Sequence, residues 1–295
     1  MKTLIIEIIE PNRLGELVTV SKMFCDRPDL VALGEGVIPG NFGKVYQTEE
    51  RIGANLVPSL IDLIRSKEYE MILLSATIVG SEIGALLAAR LSSPIVSEVT
   101  GVSADLEIEK PIYGGKALAK YRLEKKPVVL TIRRKYFEKD ILDGTTESEP
   151  LEVGAKPVSL LGEKEEKTEG IPLEDAEVIA TGGRGIGAPE NFGMLRDLAG
   201  LLNGAVGASR GAVDEGWMPP QTQIGQTGKI VAPTIYFAIG VSGASQHLAG
   251  ITNAKCVVAI NKDEEANIFK RAQFGIVEDY KKIVPVLIEA LKAEG

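Results

Sequence analysis

The 295-residue chain has two cysteines, one histidine and one tryptophan. So few thiols and imidazoles exclude a disulfide framework, a structural zinc cluster and an iron–sulfur ligand set. The same scarcity points to a reducing compartment. Cys256 opens an apolar strand and reads as a small buried hydrophobe. Aromatics make up 5 % of the residues, so the cores must be built from Val, Ile, Leu and Ala. No apolar run approaches the ~20 residues of a membrane-spanning helix, so no span is expected. The chain starts directly in a strand, Thr3 to Ile9, with no signal or transit peptide, and a cytoplasmic location is expected. Positive charge is also short. Thirty-three Lys and Arg against 41 Asp and Glu give a net charge of −8, which argues against a nucleic-acid binder. The locally basic run Lys125 to Lys135 reads as solvated strand ends.

Glycine is plentiful, and it gathers in the stretch from Ala205 to His247. Three polar clusters lie there: Ser209-Arg210, Gln223 to Thr227, and Ser242 to His247. Apolar runs, Ala205 to Ala208 and Ile235 to Val241, separate or flank them. Small residues let backbone N–H groups approach an anion, while hydroxyls and amides add directed hydrogen bonds. A single cluster of this kind is an ordinary glycine-rich turn; several in register suit a phosphate or a cofactor.

The first half alternates strands with helices. Leu4 to Ile9, Leu30 to Gly34 and Met71 to Ser75 read as strands. Glu16 to Phe24 can form a helix, Pro58 fits the first turn of a helix reaching about Arg65, and Ile83, Leu86, Leu87 and Leu91 stripe another. This alternation predicts a parallel sheet covered on both sides. Leu106 to Ile112, Ala117 to Leu123 and Pro127 to Ile132 follow with no long helix among them, and predict an antiparallel or mixed extension with a turn at Gly114-Gly115. Gly80, just after a strand, is a weak candidate for a nucleotide loop. The charged segment from Gly162 to Pro172 reads as a linker, dividing the chain into a domain over 1–170 and another over 171–295.

In the second domain, strands at 176–180, 205–208, 235–241, 256–260 and 274–277 are each followed by polar or glycine-rich residues. The loop Thr181 to Gly187 joins a strand to a helix that has Pro189 in its first turn and Phe192, Leu195, Leu198 and Leu202 on one face, ending at Asn203-Gly204. In open α/β sheets, ligands bind beyond the carboxyl ends of the strands. One large ligand along that edge accounts for all five ends. Arginines and hydroxyls suit a pyrophosphate; Asn261 and Asp279 suit a ribose or purine edge.

The motifs GGRG (182–185), ENF (190–192), VGASR (206–210), IGQTGKIVAP (224–233), SGASQHLAG (242–250), VVAINKD (257–263) and GIVEDY (275–280) together resemble the alpha subunit of electron transfer flavoproteins. The resemblance is strong from Gly182 to Asp279 and looser over the first half. It implies an N-terminal parallel-sheet, nucleotide-binding-like domain that contacts the partner, and a C-terminal Rossmann-like FAD-binding domain. It implies FAD as cofactor, a beta subunit as partner in a heterodimer, flavin dehydrogenases such as acyl-CoA dehydrogenases as donors, and a quinone reductase or other acceptor. By resemblance, FAD contacts fall to Arg184, Ser209, Arg210, Ile224, Gly225, Gln226, Thr227, Ser242, Gly243, Ala244, Ser245, Gln246, His247, Asn261 and Asp279. Tyr280 would contribute through its backbone. Gln226 and Thr227 would approach the N(5)/O(4) edge of the flavin, Arg210 would lie over the ring, and His247 would sit near its pyrimidine end. A fixed cation over the ring favours negative charge on it, and the protein tunes the cofactor without a base or nucleophile of its own. Taken alone, His247 also has a reading as a satisfied structural histidine, Lys229 reads as a solvated lysine or a cofactor contact, and Asp214 and Glu215 read as surface charge. Electron bifurcation with NADH, an NAD-binding enzyme domain, and a colourless regulatory nucleotide-binding module are the competing functions. Flavin stoichiometry and colour separate them.

Overall fold

The computed structural model describes residues 1–115, 117–162 and 170–294, and it divides into two compact units, Met1–Lys164 and Glu165–Gly295. Most of the charged segment that reads as a linker, 163–169, lies outside the described residues.

The first unit is built on a parallel sheet in the order Glu149–Pro150, Val45–Thr48, Asp29–Leu33, Thr3–Ile8, Met71–Ser75, Val128–Ile132, Ile95–Val99. The period of two along Thr3–Ile8 sends Ile5 into one core and Leu4 and Ile6 into the other. Helix Pro11–Ser21 begins earlier than the sequence suggests, because the Glu10 carboxylate accepts from the N–H groups of Asn12 and Arg13 and Pro11 supplies a first position that needs no donor. Helix Gly53–Lys67 likewise starts earlier, so Pro58 is an interior residue and not a first-turn one. The carbonyl that proline deprives of an N–H partner, on Ala54, belongs to an exposed residue and is open to solvent.

Of the three later strand-like runs, two form the expected antiparallel hairpin. Glu107–Ile112 pairs with Ala117–Arg122, and Gly101–Val102 adds a third strand. The third run is different. Val128–Ile132 enters the parallel sheet between Met71–Ser75 and Ile95–Val99. Its five residues are all buried, which a strand covered on both faces requires. Gly80 proves structural: it lies in the first turn of helix Ile78–Leu91, where its N–H reaches the Thr77 cap and a Cβ would stand 2.1 Å from the Ser75 carbonyl oxygen.

The second unit holds a fully parallel six-stranded sheet, ordered Gln223–Ile224, Ala205–Ser209, Val178–Gly182, Ile235–Ile239, Cys256–Asn261, Phe274–Val277. By rank along the chain this is 3-2-1-4-5-6, the order of dinucleotide-binding sheets, whose switch point lies between the first and fourth strands. Helices Phe192–Leu201 and Tyr280–Glu294 share one core with Ala180, Ala208 and Ile239. Ile179, Tyr236, Ala238 and Val257 head the core on the other face. Cys256 is half-buried, more open than its apolar strand suggests. Among the described residues no helix is long and apolar enough to cross a membrane, and no group of three His, Cys, Asp or Glu is placed to hold a metal ion.

Candidate functional site

A parallel sheet delivers every strand's carboxyl end to one edge. In the second unit that edge carries, in spatial order, the segments beginning at Gly225, Arg210, Gly183, Gly240, Lys262 and Glu278. At the switch point two loops meet through glycine backbones. Gly183 N–H donates to the Ile239 carbonyl at 3.0 Å and Gly185 N–H to the Gly240 carbonyl at 3.0 Å. A Cβ on Gly183 would stand 2.1 Å from the Gly240 oxygen. The small residues therefore let the two loops touch, and the GGRG loop uses these N–H groups internally. Arg184 projects from it and is exposed. Its stem lies against Gly211, where a Cβ would be 2.8 Å from Arg184 Cγ.

Free donors occur at the neighbouring loop. Among the described residues, the backbone N–H groups of Ser242, Gly243, Ala244, Ser245 and Gln246 make no hydrogen bond within the chain. Ser242, Ala244, Ser245 and Gln246 are exposed. Gly243, at φ 76°, packs so tightly that a Cβ would stand 2.2 Å from the Ile268 nitrogen. The loop is further pinned where Asn261 Nδ2 donates to the Val241 carbonyl at 2.9 Å. A run of unused backbone donors on a fixed support, with exposed arginines nearby in the sheet order, suits a group rich in anionic and carbonyl oxygens. FAD is such a group, with its pyrophosphate and its ring carbonyls.

The turn from Gly225 to Lys229 follows an edge strand, yet it meets the segment after a strand three places away. Gln226 N–H donates to the Gln246 carbonyl at 2.7 Å, and Val231 N–H to that of Gly250 at 2.8 Å. Gln226 and Thr227 are exposed, and Gln223 Nε2 donates to Thr227 Oγ1 at 3.1 Å. Lys229, open as solvated or cofactor-bound from sequence, pairs with Glu174. Ser209 caps the short helix Arg210–Asp214 by accepting from Ala212 N–H at 3.4 Å. Arg210 is 70 % exposed and its Nε lies 3.4 Å from Asp214 Oδ2.

Other expected contacts face inward. The Ile224 side chain is buried, reaching into the space where Gly207 would carry a Cβ. The Tyr280 hydroxyl donates to the Ile186 carbonyl at 2.7 Å from within the core; only its backbone is left for a ligand. Asp279 accepts from Lys281 N–H at 2.9 Å and pairs with Lys262 at 2.9 Å; the backbone bond first, then the lysine, holds its carboxyl below the usual carboxylate range. His247 is only 6 % exposed. Burial pushes its pKa down to about 4, outweighing the Ile224 backbone, which acts the other way. Its Nε2 is 2.9 Å from the Tyr236 hydroxyl, and its Nδ1 has no hydrogen bond of ordinary geometry. Tyr236 is missing from the sequence-based site, though a tyrosine in an otherwise apolar buried strand signals that its hydroxyl needs a partner.

Residues 172–252 match the electron transfer flavoprotein FAD-binding domain family, and residues 49–164 match the electron transfer flavoprotein domain family. Three relatives illustrate the similarity. The electron transfer flavoprotein subunit alpha of Mycobacterium leprae is 36 % identical over 297 residues, covering 95 % of this chain and 93 % of its own. That of Thermoanaerobacterium thermosaccharolyticum is 40 % identical over 240 residues, covering 77 % and 73 %. The mitochondrial subunit alpha of Arabidopsis thaliana is 40 % identical over 245 residues, covering 79 % and 68 %.

Proposed function

The chain belongs to the electron transfer flavoprotein alpha-subunit family, and from that premise we propose that it carries electrons from flavin dehydrogenases, acyl-CoA dehydrogenases among them, to a quinone reductase or another acceptor in the cytoplasm. Its C-terminal region is an FAD-binding domain, and the family's alpha subunits work as heterodimers with a beta subunit. FAD supplies the redox chemistry, taking up and passing on electrons; the chain binds and tunes it.

The observation that carries this reading is the run of unused backbone N–H groups at Ser242 to Gln246, at the carboxyl edge of a 3-2-1-4-5-6 sheet. On this reading those groups hold the oxygens of the cofactor. Arg184, exposed beside Gly211, binds the pyrophosphate by charge-assisted hydrogen bonds. Arg210 presents a permanent cation to the ring. Gln226 and Thr227, on the turn tied to Gln246, supply directed hydrogen bonds at the ring edge. Asn261 positions the loop through Val241, while Ile224, Gly243 and Tyr280 act through backbone and packing. Ser209 orders the segment that bears Arg210.

The deciding experiment is flavin stoichiometry and donor use of the purified heterodimer. One FAD per heterodimer, reduced by an acyl-CoA dehydrogenase turning over its substrate, is expected. Two flavins reduced by NADH would replace simple carriage with bifurcation.

A further inference from the structure

Tyr236 and Thr181 have no place in the cofactor contacts above, yet with His247 they are buried polar side chains inside the FAD-binding domain. Tyr236 is completely buried and its hydroxyl lies 2.9 Å from His247 Nε2. Thr181, on the adjacent strand and also completely buried, has a hydroxyl with no hydrogen-bond partner among the described residues. The Ile224 backbone favours a proton on the ring, although Nδ1 has no hydrogen bond of ordinary geometry. A backbone group with that effect must be an acceptor, hence the carbonyl. A neutral imidazole has one donor and one acceptor nitrogen. With the carbonyl acting on the ring and Nε2 already facing the tyrosine, the proton belongs on Nδ1 and Nε2 accepts from the phenol.

We propose that Tyr236 is a positioning residue for His247, donating to Nε2 and so fixing both the orientation of the imidazole and its proton on Nδ1. The consequence travels along the chain. Ile224 opens the turn that carries Gln226 and Thr227, and His247 ends the loop of unused donors. An imidazole fixed by Tyr236 ties the end of that loop to the strand that bears the tyrosine. The link to the cofactor rests on the reading that the 242–246 loop lines the FAD site.

The test uses the FAD-loaded heterodimer labelled with 15N-histidine, with His247→Asn to assign the ring by the signals it removes. In the unsubstituted protein the spectrum should show a protonated Nδ1 and an unprotonated Nε2. Tyr236→Phe, which keeps the volume, removes one hydrogen bond and should shift the tautomer ratio about 2- to 12-fold toward protonated Nε2. A proton already on Nε2, or a ratio unmoved by Tyr236→Phe, overturns the proposal. Should Tyr236→Phe not fold, the spectrum of the unsubstituted protein decides alone. Removing FAD tests the site separately: ring signals indifferent to the flavin overturn the site reading, while the tautomer still decides the role of Tyr236.

Discussion

Arg184 occupies the space in which Gly211 would carry a side chain: a Cβ there would lie 2.8 Å from Arg184 Cγ and 3.0 Å from its Nε. The two residues belong to neighbouring strand ends, so a methyl group on one aims or misaims the guanidinium of the other.

Gly211→Ala is expected to weaken FAD binding without unfolding the domain. Alanine favours the helix Arg210–Asp214 by about 0.5–1 kcal/mol over glycine, while the displaced arginine loses its aim. Arg184→Ala removes the charged partner altogether and should cost about 1.5–3 kcal/mol, or roughly 10- to 150-fold in affinity. Flavin retained through gel filtration, read beside the melting temperature, checks both. Retention unchanged in Arg184→Ala would remove the arginine from the site.

Arg210 is opposed by Asp214 at 3.4 Å, with both largely in solvent. Such an exposed pair is worth roughly 0–1 kcal/mol to stability, so Asp214→Asn should barely alter the melting temperature. Its expected effect is electrical: the FAD midpoint potential rises because an anion beside the cation is gone. Arg210→Ala should lower it, and Arg210→Lys should keep part of the effect. Spectroelectrochemical titration of the three heterodimers tests the ordering; a potential that ignores Arg210→Ala places the ring elsewhere.

Glycines in this domain can be separated by what a methyl group would meet. Gly243 and Gly187 both have positive φ, 76° and 82°. Alanine at Gly187 finds open space and meets only the left-handed strain, about 1–2 kcal/mol. Alanine at Gly243 would add a 2.2 Å clash with the Ile268 backbone nitrogen, and should destabilise by several kcal/mol more or abolish folding. Thermal melts of the two variants, with equal losses, would show that the loop after Val241 yields.

The buried imidazole makes stability depend on pH in a stated direction. His247 has a pKa of about 4 in the fold against about 6.5 in an unfolded chain. Between those values the unfolded chain binds the additional proton. The contribution is therefore fully present above about pH 6.5 and lost as pH falls toward 4, with a magnitude of about 3 kcal/mol. Calorimetry of the heterodimer from neutral to acid pH should show a steeper loss than in His247→Asn. Parallel profiles would mean that the ring is not buried as a neutral group.

The legible part of this fold was written in local chemistry. The second unit's strands and the polar residue following each were readable because short buried strands end where Gly, Ser and Asn begin, and a parallel sheet then aligns those ends without further information. What escaped depended on partners remote in sequence. Val128–Ile132 looks like its hairpin neighbours until its burial between two parallel strands is known. Pro58 resembles a helix start because proline does start helices, and nothing nearby announces the turn that precedes it. Gly183 and Gly185 serve a contact with Gly240 that nothing local announces, while the unused donors at Ser242 to Gln246 fall in one of the clusters read from sequence. The pairing of Tyr236 with His247 joins a strand to the following helix, and neither residue alone predicts it.

That His247 is the chain's sole histidine gives its burial a physiological meaning. Imidazole is the side chain whose ordinary pKa lets a protein register modest acidification of its compartment. Here the one imidazole is held neutral well below neutrality, so an acidification of that modest size leaves it uncharged.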